Sequence, residues 1–176
     1  DSTNTSTVQN TFTSITATTA TLTNGTISTA PANPTDIVNK DYADSIATGI
    51  NFHAACNYAT TADLGAATYS NGTAGVGATL TKTTPFATFA VDGGSPTVGQ
   101  RILVKNQTNG AYNGVYTVTN VGSGAAGWIL TRATDYDTSG VGTNEIDQGD
   151  YLLILSGTAN ANTSWVQQTG LPIVVG

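Results

Sequence analysis

The stretch of residues 99–118 constrains the fold of this chain more than any other part of the sequence. Two runs rich in aliphatic and β-branched residues, 101–105 and 114–118, flank a polar loop that contains Asn109-Gly110 and Asn113-Gly114. Asn and Gly tolerate positive φ angles, so such a loop can reverse the chain and return it as an antiparallel neighbour. The stretch therefore predicts a β-hairpin.

The rest of residues 51–176 repeats this character, with short apolar runs separated by turns rich in Gly, Asn and Ser. Short strands at such spacing indicate an antiparallel β-sandwich or barrel. The predicted fold class is therefore mainly β, with residues 51–176 as one antiparallel β-domain. The predicted strands are residues 52–58, 78–80, 86–89, 101–105, 114–120, 128–132, 151–156 and 164–168.

Several residues mark the predicted core of this domain. The runs 102–104 (Ile-Leu-Val) and 152–155 (Leu-Leu-Ile-Leu) show no polar alternation, so both are predicted to be central strands buried on both faces. Trp128 and Trp165 are expected in the core with their indole N–H groups paired. Cys56 is the only cysteine, which excludes an intrachain disulfide, and we expect it to be a small buried hydrophobe.

Residues 1–33 differ from the β-domain, because Thr and Ser dominate and apolar residues are few. One interpretation is disorder, which low-complexity polar composition favours. The other interpretation, which we favour, is an extended fibre stalk in which three copies share thin apolar stripes. β-branched Thr favours such an extended backbone.

Residues 34–50 predict one short α-helix, which Pro34 or Asp36 would begin and Gly49 would end. A helix of about 14 residues is marginal alone in water. We predict that its apolar stripe packs against the same stripe of two other copies and forms a trimeric collar; the alternative is packing on its own β-domain. The predicted trimer interface consists of Ile37, Val38, Tyr42, Ile46 and Ile50.

Composition and charge exclude several classes of partner. Charged residues make up 9% of the chain and the net charge is −6, so nucleic acid, which proteins bind through Lys and Arg, is not an expected partner. An acidic surface also disfavours docking on anionic lipid. No apolar run is long enough to insert into a membrane.

Several motifs occur in an order that resembles a known family. They read Arg-Ile-Leu-Val-Lys-Asn-Gln-Thr from Arg101, Asn-Gly-Val-Tyr-Thr-Val from Asn113, Gly-Trp-Ile-Leu-Thr-Arg-Ala from Gly127, Asp-Tyr-Asp-Thr from Asp135, and Gly-Asp at 149–150 followed by Thr-Ser-Trp-Val at 163–166. This pattern resembles the β-domain that recurs in tail fibres and tail-associated proteins of tailed bacteriophages. The segment Pro-Thr-Asp-Ile-Val-Asn-Lys-Asp-Tyr from Pro34 is similar to the helix that precedes such domains. In that family the pattern continues into one more strand, and this chain contains no Met, so we expect it to be part of a longer polypeptide.

The resemblance implies a structural virion protein rather than an enzyme. The main hypothesis is a homotrimeric tail-fibre segment that spaces and presents the fibre, contacts other tail or capsid proteins, and includes first contact with a host-surface glycan. The second hypothesis is a virion adaptor or capsid-decoration protein. The third is a fragment of a carbohydrate-active enzyme.

The candidate ligand-binding residues are acidic and aromatic. Asp135 and Asp137 resemble part of a calcium loop but lack the ligand spacing of an EF-hand, and the alternative is a surface loop with local Asp turns. Tyr112, Tyr116 and Tyr136 are candidates for stacking on a glycan if they are exposed.

No catalytic residue and no cofactor are predicted. Asp135 or Glu145 as the acid of a glycosidase is the weaker interpretation, because that chemistry needs a cleft and a carboxyl group with a raised pKa. The single histidine, His53, is expected to be packed or solvent-facing rather than a catalytic base.

Overall fold

The computed structural model describes Ala32, residues 50–141 and residues 145–176. From Ile50 onward the described residues belong to one compact unit. Apart from Ala32 and Ile50, the predicted stalk and helix lie outside the described residues. The same holds for four of the five predicted trimer-interface residues, which are Ile37, Val38, Tyr42 and Ile46.

The described chain contains nine β-strands in two sheets and one short 3-10 helix, Gly110–Tyr112. The mainly-β fold with two packed sheets is thus confirmed. The strands are β1 Asn51–Phe52, β2 Tyr58–Ala59, β3 Ala67–Ser70, β4 Thr79–Lys82, β5 Arg101–Val104, β6 Gly114–Asn120, β7 Ile129–Arg132, β8 Asp150–Leu153 and β9 Ser164–Val166.

The larger sheet has six strands in the order β2-β5-β6-β7-β4-β3. The predicted hairpin is confirmed, because β5 and β6 pair antiparallel with Arg101 opposite Thr117 and Val104 opposite Gly114. Its loop contains the 3-10 helix, whose first turn is capped by the Asn109 side chain. Both faces of this sheet are buried, as the run 102–104 predicted.

One face of the six-stranded sheet lies beneath the loop that leads into β5. The residues in this apolar cluster are Leu80, Phe89, Val91, Ile102, Val104, Tyr116, Val118, Trp128 and Leu130. The burial of Trp128 in the core is therefore confirmed. The opposite face packs on the smaller sheet through a second cluster, Cys56, Ala59, Leu103, Val115, Ala133, Tyr136, Ile146, Leu152 and Ile154. Alternating side chains of β5 supply both clusters, as the two-residue period of a strand requires.

The smaller sheet has three strands in the order β1-β8-β9. Of the seven strand pairs in the two sheets, five are antiparallel, whereas β1 pairs with β8 and β2 pairs with β5 in parallel. The predicted single strand 52–58 is divided between the two sheets, with Cys56 bridging to Ile154 on the way. One chain segment thus joins both layers.

Three further strand or burial predictions are wrong. Residues 86–89 form no strand, because they cross over the sheet as a covering loop in which Phe89 is buried. Strand β3 was missed, because Ala67 and Tyr69 are the only apolar residues of this four-residue strand, which lies at the edge of the larger sheet. In the run 152–155 only Leu152 and Ile154 are buried, because only the inner face of the smaller sheet is covered. Trp165 is 40% exposed, because it belongs to β9, the edge strand of the smaller sheet.

Among residues 50–141 and 145–176, no helix has the length and apolar character needed to cross a bilayer.

Candidate functional site

A groove of about 510 Å³ opens between the β5–β6 hairpin, strand β9 and the C-terminal segment. Its lining is mainly apolar and includes Leu103, Tyr136, Leu152 and Ile173. An apolar concave surface with few polar groups is the composition typical of small-ligand sites. This groove is the candidate functional site in the described part of the chain.

Lys105 and Trp165 form a cation–π pair beside the groove. Trp165 lies opposite Leu152 in the β8–β9 ladder, so its indole points to the inner side of the smaller sheet. Lys105 follows β5, and its Nζ lies 4.2 Å from the indole centroid. Partial burial lowers the pKa of Lys105 below its ordinary value. The pair places an ammonium group and an exposed aromatic ring at one point of the groove.

Arg132 lines the groove and is buried. Its guanidinium donates hydrogen bonds to the carbonyl oxygens of Asn113 (3.0 Å) and Ala111 (3.1 Å) and to the hydroxyl of Tyr116 (3.0 Å). Gly114 has φ of +150°, and a Cβ at this position would collide with the guanidinium. Arg132 therefore holds the hairpin loop in place.

A cluster of ionisable side chains lies where β1, β5 and β8 meet. Arg101 donates two hydrogen bonds to Asp135, at 2.8 and 2.9 Å. The fully buried His53 side chain has its Nε2 3.2 Å from Asp150 Oδ1 and its Nδ1 3.7 Å from Asp135 Oδ2. Tyr136 packs edge-on against the imidazole, with the ring centroids 5.1 Å apart. We refer to these five residues as the ionic cluster.

Burial and charge shift the pKa values of Asp135, Cys56 and Tyr136. Burial acts to raise the pKa of Asp135, but the hydrogen bonds and charge of Arg101 outweigh it and hold the pKa below its ordinary value. Burial raises the pKa of the neighbouring Cys56 thiol to about 11, and also raises that of Tyr136. A thiol with so high a pKa is not a nucleophile near neutral pH.

The calcium candidates do not meet at an open site. Both oxygens of Asp135 accept hydrogen bonds from Arg101, and Asp137 is buried, which raises its pKa. No group of three or more His, Cys, Asp or Glu side chains within the described residues is arranged to hold a metal ion.

The tyrosine candidates occupy three different environments. Tyr116 is fully buried and its hydroxyl donates to the carbonyl oxygen of Tyr112 at 2.7 Å. Tyr136 is also buried, although it lines the groove. Tyr112 is half-buried and stacks on Tyr69, with the ring centroids 4.1 Å apart. Among the described aromatic residues of the groove, Trp165 is the more exposed, and the sequence interpretation had assigned it to the core.

In comparisons with known proteins, no family model matches the sequence, and neither a curated protein nor a solved structure is significantly similar to it. The likeness to phage tail-fibre domains therefore depends on the motifs alone.

Proposed function

We propose that this chain is a non-enzymatic structural segment of a tail fibre in a tailed bacteriophage. In this proposal it acts in the virion as a homotrimer that spaces and presents the fibre and contacts other tail or capsid proteins. The ordered motifs from residue 101 to residue 166 are the sequence basis for the proposal.

The observation that carries the proposal is the structural use of the motif side chains. Arg101 binds Asp135, Asn106 accepts a hydrogen bond from the hydroxyl of Thr60 at 2.9 Å, and Asn113 accepts one from the backbone N–H of Gln107 at 2.8 Å. The first two contacts connect the hairpin to neighbouring segments, and the third holds the hairpin loop closed. Motif residues that stabilise a domain, rather than meeting around a reacting group, support a scaffold role.

The ionic cluster supports the absence of catalysis. A general acid or base has to reach the proton that it transfers, within hydrogen-bond distance or through one water molecule. The side chains of His53 and Asp150 have no solvent-accessible surface and face other protein groups. The cluster is therefore suited to fixing strand register.

The groove supports the attachment part of the proposal. Trp165 offers an exposed aromatic surface beside the Lys105 ammonium group, and sugars stack on such surfaces. A single contact of this kind is weak, but three copies on one fibre would gain avidity. The proposed ligand is a host-surface glycan.

The proposal is tested by the absolute mass of the whole chain in light scattering, together with incubation on host-surface polysaccharide. We expect a trimer and no shortening of the polymer. A monomer at micromolar concentration would contradict the fibre assembly, and release of oligosaccharides would contradict the non-enzymatic role. If Trp165→Ala binds polysaccharide as well as the wild type does, the groove is not the glycan-binding site.

A further inference from the structure

The smaller sheet has an apolar side that faces away from the core. Because successive side chains of a strand alternate between faces, burial of Leu152 and Ile154 turns the residues beside them outward. The resulting surface, which we call the outer face, consists of Ile50, Phe52, Tyr151, Leu153 and Leu155.

The outer face is both apolar and open. Ile50, Phe52, Leu153 and Leu155 are 51%, 73%, 40% and 49% exposed, respectively. Phe52 and Tyr151 are register partners in the β1–β8 pair, and their ring centroids are 5.2 Å apart, so the side chains form one continuous patch. Soluble monomers rarely leave such patches bare, and patches of this kind mark interaction sites.

None of the described residues places a charged side chain on the outer face. The one charged residue of the three strands is Asp150, whose side chain is fully buried on the inner side beside His53. The chain as a whole carries a net charge of −6. Two copies of an acidic chain repel each other when they meet through surfaces that carry carboxylates. The outer face carries none from the described residues, so two copies can meet there without bringing like charges together.

The described part of the β-domain begins at this surface. Ile50, its first described residue, belongs to the outer face and is also the last residue of the predicted trimer stripe. If the preceding segment gathers three chains, as proposed above, it brings three outer faces together at the point where those chains meet. Strands β1 and β9 have only two and three residues, so the sheet edges offer little for strand addition and contact through the face is favoured.

We propose that the outer face is the surface through which copies of this chain pack on one another. The inference extends the proposed trimer, and it assigns to the β-domain a share of the interface that the sequence had placed in residues 37–50. In the assembly, Phe52 and Leu153 would be buried against other copies.

The test compares two lysine substitutions in the whole chain. Leu153→Lys places a charge at the centre of the outer face, whereas Val98→Lys places the same charge at a 63% exposed position in the loop before β5. Light scattering over a dilution series gives the dissociation constant of the assembly. We expect at least about a tenfold rise for Leu153→Lys and less than about a twofold change for Val98→Lys. Circular dichroism of each variant verifies that the β-domain is folded.

A second measurement does not depend on weakening the assembly. Cys56 is buried, so a cysteine introduced in Leu153→Cys is the single accessible thiol in the described residues. Mild oxidation should yield disulfide-linked pairs of this variant, and Val98→Cys should yield few. Phe52→Cys places a thiol at a second position of the outer face, and mild oxidation of this variant should also yield disulfide-linked pairs.

The outcomes separate this inference from the proposed function. A trimer that is equally stable in wild type, Leu153→Lys and Val98→Lys overturns the inference and leaves the fibre proposal intact. A monomeric wild type overturns both. If Leu153→Lys keeps the wild-type mass but melts at a lower temperature than Val98→Lys, the face is covered by its own chain's preceding segment, and the inference is wrong.

Discussion

Each of the two sheets contains a strand with a continuous apolar run, but the two runs are buried to different extents. Strand β5 carries Ile102-Leu103-Val104 and is buried on both faces, between the loop-covered apolar cluster and the smaller sheet. Strand β8 continues into Leu152-Leu153-Ile154-Leu155, which is equally apolar but is buried only on its inner face. Both are interior strands of their sheets, with a neighbour on each side. The difference lies in the number of layers around them, and it indicates that the smaller sheet lacks one covering layer within the described chain.

The largest expected effect compares the central leucines of the two runs. Leu103→Ala should lower the free energy of unfolding by about 2–4 kcal/mol, because it removes a buried side chain and leaves a cavity. Leu153→Ala should cost less than about 1 kcal/mol in the dissociated protein, because its side chain is half open to solvent. Urea denaturation below the concentration of assembly gives both values. Equal costs would mean that the outer face is already covered within one copy.

This comparison also shows what the sequence could and could not reveal. The hairpin, the burial of Trp128 and the two-sided burial of β5 follow from local patterns of apolar and turn residues, and they were predicted correctly. The run 152–155 has the pattern of a strand buried on both faces, and that pattern cannot tell whether the covering layer belongs to the same chain. The sequence therefore predicted burial of Leu153 and Leu155 that the described residues do not provide.

The ionic cluster escaped prediction for a different reason. His53, Asp135 and Asp150 lie in separate segments, and the parallel register that aligns Asn51 with Asp150 brings two of them together. No local periodicity encodes a parallel register between distant strands. The acidic stretch that includes Asp135 was recognised as notable, but its cationic partner Arg101 comes from the hairpin.

The second largest expected effect is a loss of folding stability at high pH that depends on the Cys56 thiol, which is buried between the two sheets. Burial raises the pKa of this thiol from 9.0 to about 11 in the folded protein. Since the folded value lies above the unfolded one, its contribution to stability is fully present below pH 9 and is lost as the pH rises toward 11. At 1.36 kcal/mol per pKa unit the loss is about 2–3 kcal/mol.

Thermal or urea unfolding between pH 8 and pH 11 measures this loss, and Cys56→Ala is the matched control. Tyr116 and Tyr136 also have pKa values raised by burial, so both proteins should lose stability at high pH. The prediction concerns the difference between them: the wild type should lose more than Cys56→Ala. Parallel curves for the two proteins would show that the thiol is not desolvated between the sheets.

The Arg101–Asp135 pair should give a smaller effect, because both side chains keep about a fifth of their exposure. Arg101→Met should lower the free energy of unfolding by about 1–2 kcal/mol at pH 7, since Asp135 loses two charge-assisted hydrogen bonds. The pKa of Asp135 is depressed in the folded protein, so this contribution is present above the unfolded-state pKa and is lost as the pH falls through the folded-state value.

The wild type should therefore lose its advantage over Arg101→Met on acidification below about pH 4. Asp135→Asn is the matched control, because it removes the carboxylate and keeps the side-chain shape. A stability difference between wild type and Arg101→Met that stays constant down to pH 2 would assign the effect to packing of the arginine stem.

The smallest expected effect concerns the contact between Lys105 and Trp165, which joins the hairpin of the larger sheet to the edge strand of the smaller one. Lys105 Nζ lies over the indole at 4.2 Å, and a partly desolvated cation–π pair is worth about 0.5–1 kcal/mol. A double-mutant cycle of Lys105→Met and Trp165→Leu isolates this coupling, since methionine retains much of the lysine stem without its charge. The coupling should survive added salt better than that of an exposed ion pair, because Lys105 is partly buried. A coupling energy of zero would mean that burial of apolar side chains alone holds the two sheets together at this rim. The stability of the smaller sheet would then depend more strongly on contacts made by its outer face.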